Sequence, residues 1–183
     1  MLVFIVSEKQ LKEQQEGSEM PPLKKPLSAL AVAVTMMPTP GLSQTSTANF
    51  NVQITIQAEC QINSATNMNF GTNGVIDAAI DATSAIAVQC TDGVPYDISL
   101  NAGATTGGTT AVRLMEGPGG TISYSLYSDA QRTILWGDTP DANTVPGTGT
   151  GGQQTFTVYG RVPPQDTPGA GLYDDTVTAT LTY

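Results

Sequence analysis

The sequence contains no histidine. That removes the commonest general base and metal ligand at neutral pH. It also excludes Ser-His-Asp and Cys-His nucleophilic arrangements. Basic residues are nearly as scarce. From Gln44 onward the only ones are Arg113, Arg132 and Arg161, set against twelve acids, a net charge of −9 for that part. Such a surface repels nucleic-acid phosphates and anionic lipid, so no nucleic-acid partner is expected. It suits solubility outside the cell. Cysteine is limited to Cys60 and Cys90, with no C-x-x-C. Redox catalysis and a zinc site are both poorly served by two isolated thiols. Long charged side chains are few, and Thr, Gly, Ser, Asn and Ala dominate the remainder. That composition favours short strands and tight turns.

The first 43 residues differ from the rest, and all four lysines lie there. Met20-Pro-Pro-Leu-Lys-Lys opens a second N-terminus, with Lys24 and Lys25 as a positive region. Leu27 to Met37 is an apolar run of eleven residues, followed by the helix-breaking Pro38-Thr-Pro-Gly-Leu-Ser. This is the layout of a secretory signal peptide, in a run too short to span a bilayer. No Ala-x-Ala is present. Gly41 and Ser43, or Ser46 and Ala48, supply the small residues for cleavage. The expected division is residues 1–19 untranslated or disordered, 20–43 signal peptide, 44–59 an N-terminal strand and 60–183 the sandwich domain. No membrane insertion is expected of the mature form. An even cysteine count in an exported domain predicts a Cys60–Cys90 disulfide.

Residues 48–59 alternate strictly. Ala48, Phe50, Val52, Ile54, Ile56 and Ala58 form one face, and Asn49, Asn51, Gln53, Thr55, Gln57 and Glu59 the other. Period two over twelve residues predicts a strand. Further strands are predicted over 62–70 (broken), 84–90, 96–100, 113–115, 121–128 (continued over 133–136 after a kink), 155–162 and 175–183. Residues 101–110 read as a mobile loop, 139–154 as a Gly/Thr/Pro loop, and 76–80 as at most a helical turn. The last strand puts Val177, Ala179, Leu181 and Tyr183 on one face and four threonines on the other. Many short strands with turn chemistry between them indicate an all-β sandwich. The final strand runs to Tyr183, so a closing strand is expected to be missing. The regular strand 48–59 then has two readings. It is the first strand of its own domain, or it fills the gap in a neighbour.

Candidate chemical sites are weak. Gly147-Thr-Gly-Thr-Gly-Gly152 fits G-x-G-x-x-G, but Pro146 precedes it and a strand follows, where a dinucleotide site needs a strand and then a helix. Adjacent Asp174 and Asp175 point to opposite faces of a strand, which suits a turn better than a catalytic pair. Asp138, Asp141 and Asn143 lack EF-hand spacing. Trp136 and the tyrosines are expected to pack across the sandwich rather than to hold a sugar. No catalytic residue, cofactor or metal site is expected, and the chain reads as a non-enzyme.

Short motifs in a fixed order carry a resemblance. They are the alternating strand ending at Cys60, Asn69-Phe-Gly71, Ile86-Ala-Val-Gln-Cys-Thr91, Tyr96-Asp-Ile-Ser-Leu and Arg113-Leu-Met. Tyr124-Ser-Leu-Tyr-Ser-Asp129, Trp136-Gly-Asp138, Val158-Tyr-Gly-Arg-Val162 and Gly171-Leu-Tyr-Asp-Asp175 complete the set. The chain from about Asn49 to Tyr183 resembles the spore coat protein U domain family, subunits of archaic, Csu-type chaperone–usher pili. The resemblance implies an immunoglobulin-like sandwich one strand short. It implies a periplasmic chaperone, an outer-membrane usher and identical or related pilin subunits as partners. It also implies donor-strand exchange, with Phe50, Val52, Ile54 and Ile56 entering a neighbour's groove beside Val177, Ala179, Leu181 and Tyr183. The expected function is a secreted cell-surface fibre for adhesion and biofilm formation. The alternatives are a spore or cell-surface coat without a pilus rod and a secreted β-sandwich lectin, with a small hydrolase remote.

Overall fold

In the computed structural model, which describes residue 41 and residues 43–183, every regular element is a strand. The expected signal peptide and the stretch before it lie outside the described residues, apart from Gly41 and Ser43. Two units are distinguished, Met1–Phe50 and Asn51–Tyr183. The described residues of the first are exposed and belong to no strand. The second holds β1 (Cys60–Ala65), β2 (Ile80–Cys90), β3 (Pro95–Leu100), β4 (Arg113–Gly117), β5 (Gly120–Tyr127), β6 (Val145–Thr148), β7 (Gln153–Val162) and β8 (Ala179–Thr182). They form a five-stranded sheet, β1-β2-β7-β5-β4, and a three-stranded sheet, β6-β3-β8. Every pairing is antiparallel. This is the predicted all-β, immunoglobulin-like sandwich.

Alternation explains the core. Ile86, Val88 and Cys90 of β2 and Tyr96, Ile98 and Leu100 of β3 are buried. So are Tyr124 and Leu126 of β5 and Val158 and Val162 of β7; except for Ala87 and Gly160, which are also buried, the residues between and beside them are partly buried or exposed. Period two places alternate residues on one face, and two such faces close on each other. Trp136 is buried between the layers and donates its indole N–H to the carbonyl of Ile98 (2.9 Å). Gly160 lies on the inner face of β7, where a Cβ would come within 2.9 Å of the Phe70 ring. Its bareness lets Met68 and Phe70 lie across the sheet, and Phe70 meets Tyr124 edge-on at 6.3 Å.

Several expectations are corrected. Residues 48–59 enter no sheet, so the domain's first strand is β1. Residues 76–80 form no helical turn. Ile76 is held through its backbone to Thr167 and Gln165, and Ile80 already pairs with Val162. Residues 133–136 do not prolong β5. The Asp129 carboxylate accepts from the Thr133 and Ile134 amides, reversing the chain so that Leu135 bridges back to Tyr127. The loop 139–154 contains β6, whose Pro146 is tolerated because β6 is an edge strand. The G-x-G-x-x-G stretch closes the β6–β7 connection.

Candidate assembly site

Opposed residues in a strand pair share one face of a sheet. In β1, Ile62 opposes Val88 and Ala65 opposes Ile86. Val88 and Ile86 are sealed in the core, yet Ile62 is 36% exposed and Ala65 is exposed. In β8, Leu181 opposes Ile98 and Ala179 opposes Leu100. Here too the inner partners are buried and the edge residues half open. Val177 is likewise half-buried against the core, and Tyr183 is mostly exposed.

Each of these strands has one neighbour only, β2 for β1 and β3 for β8. β1 and β8 approach one another across the flank, and no pairing joins them among the described residues. Each therefore leaves one edge unpaired, with partly open apolar side chains along it. Such edges present free N–H and C=O groups to any extended segment with matching side chains.

A segment of that description is present in the chain. Phe50, Val52, Ile54 and Ile56 are 85%, 85%, 82% and 69% exposed. Residues 51–56 belong to no strand and make no hydrogen bond among the described residues. Four such side chains in water forgo about 1.5–3 kcal/mol each that burial would return. The chain is first gripped at residues 57–59. The Thr91 amide donates to the Glu59 carbonyl (2.9 Å), and the Thr91 hydroxyl accepts from the Glu59 amide and donates to the Gln57 carbonyl (both 3.1 Å). Next comes the disulfide between Cys60 and Cys90, directly opposed in the β1–β2 register.

At the far end of β3 a polar network holds the loop 101–112. Arg113 is fully buried, and its guanidinium donates to the carbonyls of Leu100, Asn101, Thr110 and Trp136 at 2.8–3.0 Å. Burial pulls its pKa below the ordinary arginine value, opposed by nearby Tyr124, Asp138 and Asp175. Tyr124 donates to Asp175 at 2.7 Å, and burial followed by that bond pushes the phenol well above its ordinary value. Burial acts to raise Asp175, but the Tyr124 hydroxyl and the Thr105 and Ala104 amides outweigh it and hold the carboxylate below its usual range. Gly103, at φ 90°, leaves the room that this carboxylate occupies. The loop read as mobile is therefore pinned at several points.

Sequence reasoning placed Arg113, Trp136 and Asp175 in separate motifs without seeing that they meet. It also passed over the side chain of Thr91. Asp174 pairs by backbone with Glu116 at a sheet edge.

The family model of the Spore Coat Protein U domain matches residues 46–180, which takes in the exposed segment, β1 and the first half of β8. The chain belongs to this family. Among curated proteins, Protein U of Myxococcus xanthus is 33% identical to this Spore Coat Protein U domain chain over 177 residues. That match covers 88% of this chain and 98% of Protein U. Among solved structures, a chain of the CsuC–CsuE chaperone–tip adhesion subunit pre-assembly complex, from archaic chaperone–usher Csu pili of Acinetobacter baumannii, is also similar. It aligns at a TM-score of 0.52 and 25% identity over 70% of this chain. This Spore Coat Protein U domain chain spans about two-fifths (40%) of the length of that one.

Proposed function

We propose that this protein is a structural, non-enzymatic subunit of a secreted surface fibre, assembled by donor-strand exchange. The carrying observation is a pair of mismatches that cancel. One domain has two unpaired strand edges with partly open apolar side chains, and one segment has an apolar face without a sheet. Residues 50–56 of one copy fill the groove between β1 and β8 of the next. The partners are identical or related pilin subunits, a periplasmic chaperone that covers the groove before assembly, and an outer-membrane usher. Likeness to a chain of a chaperone–subunit complex from a chaperone–usher pilus supports that set. Physics supports the chaperone separately, because an open groove with bare edges aggregates. The location is the cell surface, reached through the periplasm, and the role is adhesion and biofilm formation.

A second reading is a surface coat built by the same strand exchange without a rod. The near full-length match to Protein U and the family's description favour it. Co-expression with the cognate chaperone, followed by electron microscopy after chaperone removal, separates the two. Thin fibres support the pilus reading, amorphous sheets the coat, and a persistent soluble monomer would sink both.

A further inference from the structure

The exposed segment leads directly into β1, the strand that borders the groove of its own domain. Its own copy is therefore the nearest possible taker. To enter that groove the chain would have to reverse between Ile56 and Cys60. A tight antiparallel reversal needs residues that accept positive φ, chiefly Gly, Asn or Asp. Gln57, Ala58 and Glu59 supply none, and none of them has positive φ here.

Direction matters as well. Cys60 and Ile62 face the core side of β1, opposed to Cys90 and Val88, so Gln61 and Gln89 lie on the outer side. Ile56 lines a shallow cavity of about 360 Å³ together with Glu59, Gln61, Gln89, Thr91 and Gly151. At Ile56 the chain thus leaves over the outer face of the sheet, opposite to the side that Ile62 faces. What holds that departure is Thr91. Its amide and hydroxyl occupy the Glu59 carbonyl, the Glu59 amide and the Gln57 carbonyl, which are the groups a reversal would have to release.

We infer that Thr91 is an exit clamp, which aims residues 50–56 away from the groove of their own domain and reserves them for a second copy of the chain. The clamp rests on the assembly reading above. It suppresses self-completion, the competing outcome that would yield inert monomers.

The test compares the full wild-type chain with Thr91→Val, which loses the hydroxyl at constant shape, and Thr91→Ser, which keeps it. A fourth protein, Gln57→Asn/Ala58→Gly, supplies turn residues with Thr91 intact. Each is exported with its chaperone, released, and separated into monomer and polymer by size-exclusion chromatography. Chymotrypsin cleavage after Phe50 reports whether the segment of the monomer is open. The self-completed monomer fraction, with Phe50 protected, should rise on the order of tenfold in Thr91→Val as two hydrogen bonds are lost. It should also rise in Gln57→Asn/Ala58→Gly, and Thr91→Ser should behave as wild type. Unchanged monomer fractions in both Thr91→Val and the turn variant, or a wild-type monomer already protected at Phe50, would overturn the clamp. An Ile54→Asp chain run alongside separates the two levels of the argument. If it polymerises like wild type, the assembly reading itself fails.

Discussion

The stretch Asn51–Ala58 and strand β7 carry the same period-two pattern and meet opposite ends. β7 lies between β2 and β5, and its inward residues Val158 and Val162 are sealed. Val52 and Ile54 stand in water, paired with nothing among the described residues. Alternation therefore states that a strand has a face to bury. It does not state where the burying surface is. For β7 that surface lies in its own domain. For residues 51–56 no such surface is paired with them, while β1 and β8 each keep an unpaired edge with partly open apolar side chains.

A single charge breaks the comparison most sharply. Val158→Asp puts an unpaired carboxylate in the core, at about 3–5 kcal/mol or more, and should leave no folded domain by thermal melting. Ile54→Asp should change stability by no more than about 0.5 kcal/mol, as an exposed substitution does. It should nonetheless abolish fibres in sedimentation and electron microscopy. An Ile54→Asp chain that melts early would mean that the segment already belongs to its own core.

Moving the segment tests the same contrast from the other side. Residues 48–59 joined after Tyr183 by a flexible linker should enter the groove and give a monomer that no longer assembles. Burial of Phe50, Val52, Ile54 and Ile56 is worth about 6–12 kcal/mol before ordering costs, so the denaturation midpoint in urea should rise clearly. An aggregating graft, or one no more stable than the parent, would show that the groove does not accept this strand.

The strands that were legible in the sequence are those whose alternation is answered inside the domain. β2, β5 and β7 in one sheet and β3 in the other carry alternating apolar residues that meet in the shared core. β6 was not legible, because Val145-Pro-Gly-Thr has no pattern to read, and its pairing with Tyr96 and Asp97 makes it a strand. Nor was the anchoring of loop 101–112. It depends on Asp175, 70 residues distant from Thr105 in sequence, and on one arginine meeting four carbonyls. The groove was legible only in outline. A final strand with a half-open apolar face is visible as alternation, whereas the uncovered side of Ile62 depends on a register that no local pattern announces.

The smallest expected effect concerns that anchored loop, which sharpens the contrast between held and unheld segments. Asp175→Asn keeps the shape and removes the charge, and should cost about 1–3 kcal/mol at neutral pH. The Asp175 carboxylate has a lowered pKa in the folded protein. Its stabilising contribution is therefore complete above the unfolded value near pH 4 and is lost as pH falls through the lower folded value. The gap between wild type and Asp175→Asn in urea unfolding should accordingly narrow below about pH 4. A gap that stays constant into strong acid would show that the carboxylate charge is not what holds the loop.

The Cys60–Cys90 bridge has a mechanical consequence. Beyond the Thr91 hydrogen bonds, a pull on the residues before Cys60 reaches the first residue of β1, a six-residue strand bonded to a single neighbour. Tension at the end of such a strand would unzip its hydrogen bonds one after another, each meeting the full load in turn. The covalent link diverts the force at its point of entry into Cys90, the last residue of an eleven-residue strand paired on both sides. Peeling from that end is then blocked by a bond that thermal forces do not break. Tension is instead shared in shear across the β2–β7 ladder, the longest register in the molecule.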